Sequence, residues 1–130
     1  SAARALVAAL VVYVVADFFL TPLGGFETRD PSGIRPIGYA TLGLIFAGLF
    51  LAIVAVVLLV RGSRRSGITA VVAAILYLPA PFTDATGIFS KFRPPTAISV
   101  VEWIQELVAV ALIVLALRVL AGQRGPRPSP

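Results

Sequence analysis

Residues 37–60 read IGYATLGLIFAGLFLAIVAVVLLV, a long apolar run without a charged side chain. A helix of this length rises roughly 36 Å, enough to cross the hydrocarbon core of a bilayer, which is roughly 30 Å thick. Small residues recur within it at the i, i+4 spacing that lets helix backbones approach closely, as Gly43/Ala47 and Gly48/Ala52. The run therefore predicts a transmembrane helix whose small-residue face packs inside a helix bundle.

Three further apolar runs, at residues 5–23, 67–89 and 97–120, have the length of a membrane span. The 130 residues are 58% hydrophobic and 13% charged with a mean hydropathy of +0.98, far from the roughly 25% charged residues of soluble domains. A cleaved signal peptide is disfavoured, because no small-x-small cleavage motif follows the first apolar stretch. We expect an all-α integral membrane protein with four transmembrane helices in an antiparallel bundle.

One domain is expected over residues 1–122, with a polar outer loop at residues 24–36. Residues 123–130 have the Pro, Gly and Arg composition of a disordered terminus and are expected to form a cytoplasmic tail. Within the third span, Pro79 and Pro81 withdraw two backbone donors, so this helix is expected to kink or break there. Two interpretations of the prolines stay open: a structural kink, or a functional break that exposes backbone polar groups to a cavity.

The basic residues lie at the ends of the apolar runs, which is typical of topology signals rather than of a nucleic-acid surface. With both termini inside, four basic residues lie outside, against seven inside: Arg4, Arg61, Arg64, Arg65, Arg118, Arg124 and Arg127. This bias predicts a multi-pass protein of the cell membrane, as in a bacterial inner membrane, with cytoplasmic N and C termini and no nucleic-acid partner.

The sequence holds no Cys and no His, which excludes thiol nucleophiles, imidazole bases and the usual zinc and haem ligands. Nucleotide-binding and hydrolase motifs are also absent. No cofactor and no metal site is expected, and catalytic residues cannot be assigned.

All six acidic residues fall in the predicted outer half or in the outer loops. Asp17 lies roughly 12 Å and Glu106 roughly 13–14 Å below the outer edge, close to the depth of the proline break. Glu102 lies roughly 7–8 Å down and shares a helix face with Glu106, while Asp84 lies nearer the surface. Buried carboxyl groups are costly in a bilayer and usually face a bundle interior or a wet cavity.

We therefore expect Asp17, Glu106, Glu102 and Asp84 to form a ligand- or proton-binding site. If Asp17 and Glu106 meet, a shared or exchangeable proton is expected. The residues expected to support this site are Tyr13, Tyr77, Pro79, Pro81, Gln105 and Trp103.

Structural interpretations of the same residues stay open. Glu102 would favour a helix N-terminus or pair with Lys91 or Arg93, and Asp84 would cap a turn. Asp17 and Glu106 would then be neutral groups that join helices by hydrogen bonds, and Trp103 would belong to an interfacial aromatic belt.

Three functions follow from these alternatives. The first is a small membrane protein that binds or transports a cation, a proton or a small amphiphile at the carboxylate-lined site. The second is a noncatalytic accessory subunit or assembly factor, and the third a lipid or isoprenoid enzyme that uses paired carboxyl groups as general acid and base. The absent motifs make an enzyme the less favoured class. The expected partners are the lipid bilayer and either a second copy of the chain or a larger membrane complex.

Overall fold

The computed structural model describes residues 1–124, and this part of the chain is all-helical apart from one isolated β-bridge. Four segments of 18, 25, 20 and 29 residues are long and apolar enough to cross a membrane, as the hydropathy predicts. The helices are α1 (Ala2–Phe19), α2 (Pro36–Val60), α3 (Ser66–Tyr77), α4 (Pro79–Ala85) and α5 (Thr96–Arg124), with α3 and α4 forming one span.

The helix ends differ from the predicted spans for local reasons. Helix α1 ends at Phe19 because Pro22 follows closely and disfavours helical dihedrals at Thr21, which is extended. Helix α2 begins with Pro36 at its first position, where a missing N–H costs nothing. Helix α5 continues to Arg124, beyond the predicted end at residue 120. The rest of the predicted tail, residues 125–130, lies outside the described residues.

The α3–α4 span is the most buried element, with half of its residues inside the fold against about a fifth in the other spans. It contacts both α2 and α5, and α1 packs chiefly on α5. The core is rich in alanine, whereas the large apolar side chains Phe46, Phe50 and Leu107 point outwards. Alanine therefore forms many of the helix contacts, and many bulky apolar side chains cover the surface, although a few large ones are fully buried: Leu6, Leu10, Tyr13, Tyr77, Ile98 and Leu112.

The two small-residue pairs of α2 lie on different sides of the helix. Gly48 and Ala52 are buried, and a Cβ added at Gly48 would lie 2.9 Å from the carbonyl oxygen of Ala73. Gly43 and Ala47 are exposed, and a Cβ at Gly43 would meet nothing within 4 Å. Gly48 is five positions after Gly43, which turns it by roughly 140° around the helix relative to Gly43. Only the second pair therefore packs inside, in contrast to the expectation for both.

The predicted break in the third span occurs at Leu78, which separates α3 from α4. Pro79 and Pro81 have no N–H, so the carbonyls of Ile75 and Tyr77 lose their i+4 donors. Leu78 keeps helical dihedrals of φ −49° and ψ −43°. The interruption is therefore a local loss of hydrogen bonds at a residue that keeps helical dihedrals.

One end of the molecule is covered by two loops, residues 20–35 and 86–95, which we call the loop cap. The Arg35 N–H donates to the Phe89 carbonyl and the Lys91 N–H to that of Gly33, each at 2.9 Å. Ile34 and Ser90 form the β-bridge between these contacts. The loops thus tie the start of α2 to the chain that enters α5.

At the opposite end, Gln123 joins the last turn of α5 to the start of α3. Its Nε2 donates to Ser66 Oγ at 2.7 Å and to the Ser63 carbonyl at 3.1 Å, and its Oε1 accepts from the Gly67 N–H at 3.1 Å. The bond from the Gly67 N–H satisfies one of the backbone amides that the N-terminus of a helix leaves without an intrahelical acceptor.

Replacing Gln123 by alanine is expected to destabilise the fold by about 1–2 kcal/mol, because the partly buried Gly67 N–H loses its acceptor and Ser66 Oγ loses a donor. Thermal unfolding of the detergent-solubilised protein would measure this change. The exposed neighbour Gly122, replaced by alanine, serves as the control, since a Cβ there would meet nothing within 4 Å. Equal melting temperatures for the Gln123 variant and the wild type would contradict the prediction.

Candidate functional site

Arg29 reaches from the loop cap to the interior and binds two carboxyl groups. Its Nη1 and Nη2 donate to Asp84 Oδ1 and Oδ2 at 2.6 and 2.8 Å. Its Nε and Nη2 donate to Glu27 Oε1 and Oε2 at 2.8 and 2.6 Å. Two-point pairing of a guanidinium with a carboxylate is the strongest ion-pair geometry in proteins. Arg29 therefore fixes the first loop to α4.

These ion pairs are largely shielded from solvent, with 11% of the Arg29 side chain, 14% of Glu27 and 8% of Asp84 exposed. The hydrogen bonds to Glu27, followed by that to Asp84, raise the pKa of the Arg29 guanidinium above its ordinary value, although burial opposes this shift. Arg29 thus stays charged at every accessible pH.

Glu102 on α5 is a third carboxyl group in the same place. It is 3% exposed and lies beside Asp84, near Arg29 and Glu27, while its Oε1 has no hydrogen-bond partner. We call Glu27, Arg29, Asp84 and Glu102 the ion-pair cluster. Three carboxyl groups share one guanidinium, so the cluster would carry a charge of −2 if every group were ionised.

A second group of polar residues, which we call the tyrosine cluster, lies deeper in the bundle: Tyr13, Asp17, Tyr77 and Gln105. The two tyrosine rings pack edge to face with centroids 4.4 Å apart. Gln105 Nε2 donates to the Tyr13 carbonyl at 2.9 Å, across α5 and α1. The Tyr77 hydroxyl lies close to Asp17 and to Gln105 but does not reach hydrogen-bond geometry with either.

The sequence leaves open whether Asp17 and Glu106 meet, and they form no hydrogen bond with each other in the structure. Asp17 is buried near Tyr77, whereas Glu106 is half-buried and its Oε1 has no partner. The reason is rotational: Gln105 faces α1, and the next residue is turned by roughly 100° around the helix. Glu106 has the same predicted depth as Asp17, but it lies on a different side of α5 from Gln105, which faces α1.

The remaining predicted site residues divide between the interior and the surface. Pro81 is buried and Pro79 is partly buried, both on the segment that carries Asp84. Trp103 is 49% exposed, as expected of an interfacial aromatic residue. The alternative pairing of Glu102 with Lys91 or Arg93 does not occur within residues 1–124.

Sequence reasoning missed Glu27 and Arg29, which it assigned to a polar loop. Arg29 is separated from Asp84 by 55 positions, and no local pattern indicates that contact. The one available signal is the i, i+2 spacing of Glu27 and Arg29, which places a carboxylate next to a guanidinium in an extended loop.

Proton binding is the chemistry that these clusters favour, since their polar atoms are carboxyl, hydroxyl and amide groups. Within residues 1–124, no three or more acidic, His or Cys side chains lie close enough together to hold a metal ion. An open cleft of about 410 Å³ lies on the loop cap beside Arg29 and is lined by Thr28, Asp30, Phe92, Arg93 and Pro95. It gives solvent a route to the ion-pair cluster.

Comparison with known proteins identifies the family of this chain. No curated protein and no solved structure matches the sequence. One family profile, described as "Domain of unknown function (DUF8051)", matches residues 3–129. This match covers nearly the whole chain, which therefore belongs to the DUF8051 family.

Proposed function

We propose that the chain is a multi-pass membrane protein of the cell membrane, with four antiparallel spans and both termini in the cytoplasm. The alanine-rich interior and bulky apolar exterior support insertion in lipid. Contacts of Gly38 with Phe89 and of Gly48 with Ala73 support opposite directions for α2 and the α3–α4 span. The excess of arginine at the end opposite the loop cap supports the orientation.

We further propose that the ion-pair cluster binds a proton and exchanges it with the solvent at the loop cap. The observation that carries this proposal is Glu102, a carboxyl group that is 3% exposed and next to Asp84. Arg29 already pairs with Glu27 and Asp84, so Glu102 has no cation of its own among residues 1–124. A proton would supply the missing positive charge.

The arrangement supports exchange better than permanent burial of a neutral acid. Arg29 lines the open cleft of the loop cap and pairs with Asp84, which lies beside Glu102, so the carboxyl groups lie close to solvent. A purely structural acid would need hydrogen bonds for both oxygens, whereas Glu102 Oε1 has none.

A test is carboxyl infrared spectroscopy of the full chain in lipid bilayers, with the pH changed from acid to alkaline. We expect the wild type to gain and lose a protonated-carboxyl band, and Glu102→Gln to abolish the larger part of this signal. The matched control is Glu106→Gln, because Glu106 lies on the same helix outside the cluster. A band that titrates unchanged in Glu102→Gln would refute the proposal.

A second candidate function is that of a noncatalytic accessory subunit in a larger membrane complex. It is favoured by the exposed Gly43 and Ala47 on α2, a pair with the spacing of close helix contacts. Purification from native membranes distinguishes the two, since an accessory subunit would retain its partners at a defined size.

A further inference from the structure

The tyrosine cluster contains more unpartnered polar atoms than any other described part of the interior. Tyr13, Tyr77 and Gln105 are 0% exposed, yet the two hydroxyl oxygens and Gln105 Oε1 have no hydrogen-bond partner among residues 1–124. Buried polar groups in proteins are nearly always hydrogen-bonded, often through an internal water molecule. Three such atoms in one cluster need a common physical explanation.

The positions of these atoms limit what could bind them. Gln105 donates its amide N–H to the Tyr13 carbonyl, which leaves Oε1 as an acceptor that requires a donor. Tyr77 lies close to both Asp17 and Gln105. Gly48 of α2 adjoins the same place, since a Cβ built there would be 3.5 Å from the Tyr13 hydroxyl. Three elements, α1, α3 and α5, thus contribute polar groups, and α2 contributes a glycine.

Water fits these requirements better than other ligands. It donates two hydrogen bonds and accepts two, as required by an amide oxygen, two hydroxyl groups and a carboxyl group. An anion would be repelled by Asp17, and an amphiphile would need an opening to residues that are fully buried.

We propose that the tyrosine cluster binds a water molecule, or its protonated form, between Tyr13, Tyr77 and Gln105 and beside Asp17. The water satisfies the three unpartnered atoms and hydrates the Asp17 carboxyl group. Binding of the water stands independently of the proposed function. Its use as a second proton position, deeper than Glu102, rests on that function.

The direct test is solid-state NMR of the labelled full chain in bilayers, measuring magnetisation transfer from water to side chains. We expect transfer to Tyr77 and Gln105 to be several-fold faster than to Leu10 and Ala109, which are equally buried but apolar. Transfer as slow as to those two residues would show a dry cluster and overturn the proposal.

A pair of Tyr→Phe variants provides the second measurement. Tyr77→Phe is expected to reduce transfer to the Gln105 side chain several-fold and to lower the melting temperature. Tyr39→Phe is the matched control, because Tyr39 is 60% exposed, and it should change neither. If Tyr77→Phe raised the melting temperature and left the transfer intact, the hydroxyl would not bind water and the proposal would fail. The infrared signal of Glu102 is measured in a separate experiment. Failure of the water proposal can therefore be distinguished from failure of the proposed function.

Discussion

Replacing Arg29 by alanine is expected to destabilise the protein by about 3–5 kcal/mol, the range found when one partner of a buried ion pair is removed. The substitution leaves Glu27, Asp84 and Glu102 together without a cation, in a place where the paired side chains are at most 14% exposed. It also removes the contacts that hold the first loop on α4. Thermal unfolding in detergent micelles, with helix content as the signal, would measure the loss.

The effect of this substitution should depend on pH in a defined direction. Without Arg29, the three carboxyl groups repel one another when ionised, and each loses its charge when protonated. The variant should therefore be closest to the wild type in acid and lose stability as the pH rises. Adding Asp84→Asn to the variant is expected to restore part of the lost stability at neutral pH, because one of the repelling charges is removed.

Arg93→Ala is the matched control for Arg29→Ala. Arg93 is exposed on the same loop cap and forms no ion pair within residues 1–124. Its removal should change stability by no more than about 0.5 kcal/mol. Equal destabilisation by the two substitutions would mean that general loss of positive charge, and not the ion-pair cluster, explains the result.

The number of apolar spans and the break in the third span could be predicted because both signals are local. Hydropathy is summed over a window of one helix, and Pro79 and Pro81 remove their own hydrogen-bond donors wherever they lie. Neither prediction requires knowledge of a neighbouring helix.

Which residues pair could not be predicted. The position of a residue in the sequence gives its depth along the helix, but not the neighbouring helix that it faces. Asp17 and Glu106 share a depth, yet Gln105 takes the position facing α1. Arg29 meets Asp84 only because the loop folds back over α4. Glu102 and Asp84 belong to the predicted site because of their depth. The cation beside them, Arg29, lies in a loop, and hydropathy gives no information about the contacts of a loop.

Replacing Gly48 by alanine is expected to destabilise the fold by about 1–3 kcal/mol, as is typical of overpacking in a closely packed core. The new Cβ would lie 2.9 Å from the Ala73 carbonyl and 3.4 Å from Leu76 Cβ. The nearer atom belongs to a helix backbone and cannot rotate away. Helices α2 and α3 must therefore move apart, which also separates α2 from the Tyr13 hydroxyl. Unfolding in detergent would measure the first consequence, and the transfer of magnetisation from water to the Gln105 side chain would measure the second.

Gly43→Ala is the matched control for Gly48→Ala, since both variants add one methyl group to the same helix. A Cβ at Gly43 meets nothing within 4 Å, and alanine is favoured over glycine in a helix by about 0.8–1.0 kcal/mol. We therefore expect Gly43→Ala to be neutral or stabilising while Gly48→Ala is destabilising. A similar loss for both would contradict the placement of Gly43 on a free face and indicate that a second chain packs there. Stability that depends on protein concentration in the wild type and the Gly48 variant, but not in the Gly43 variant, would identify that contact, because only an interface between chains responds to dilution.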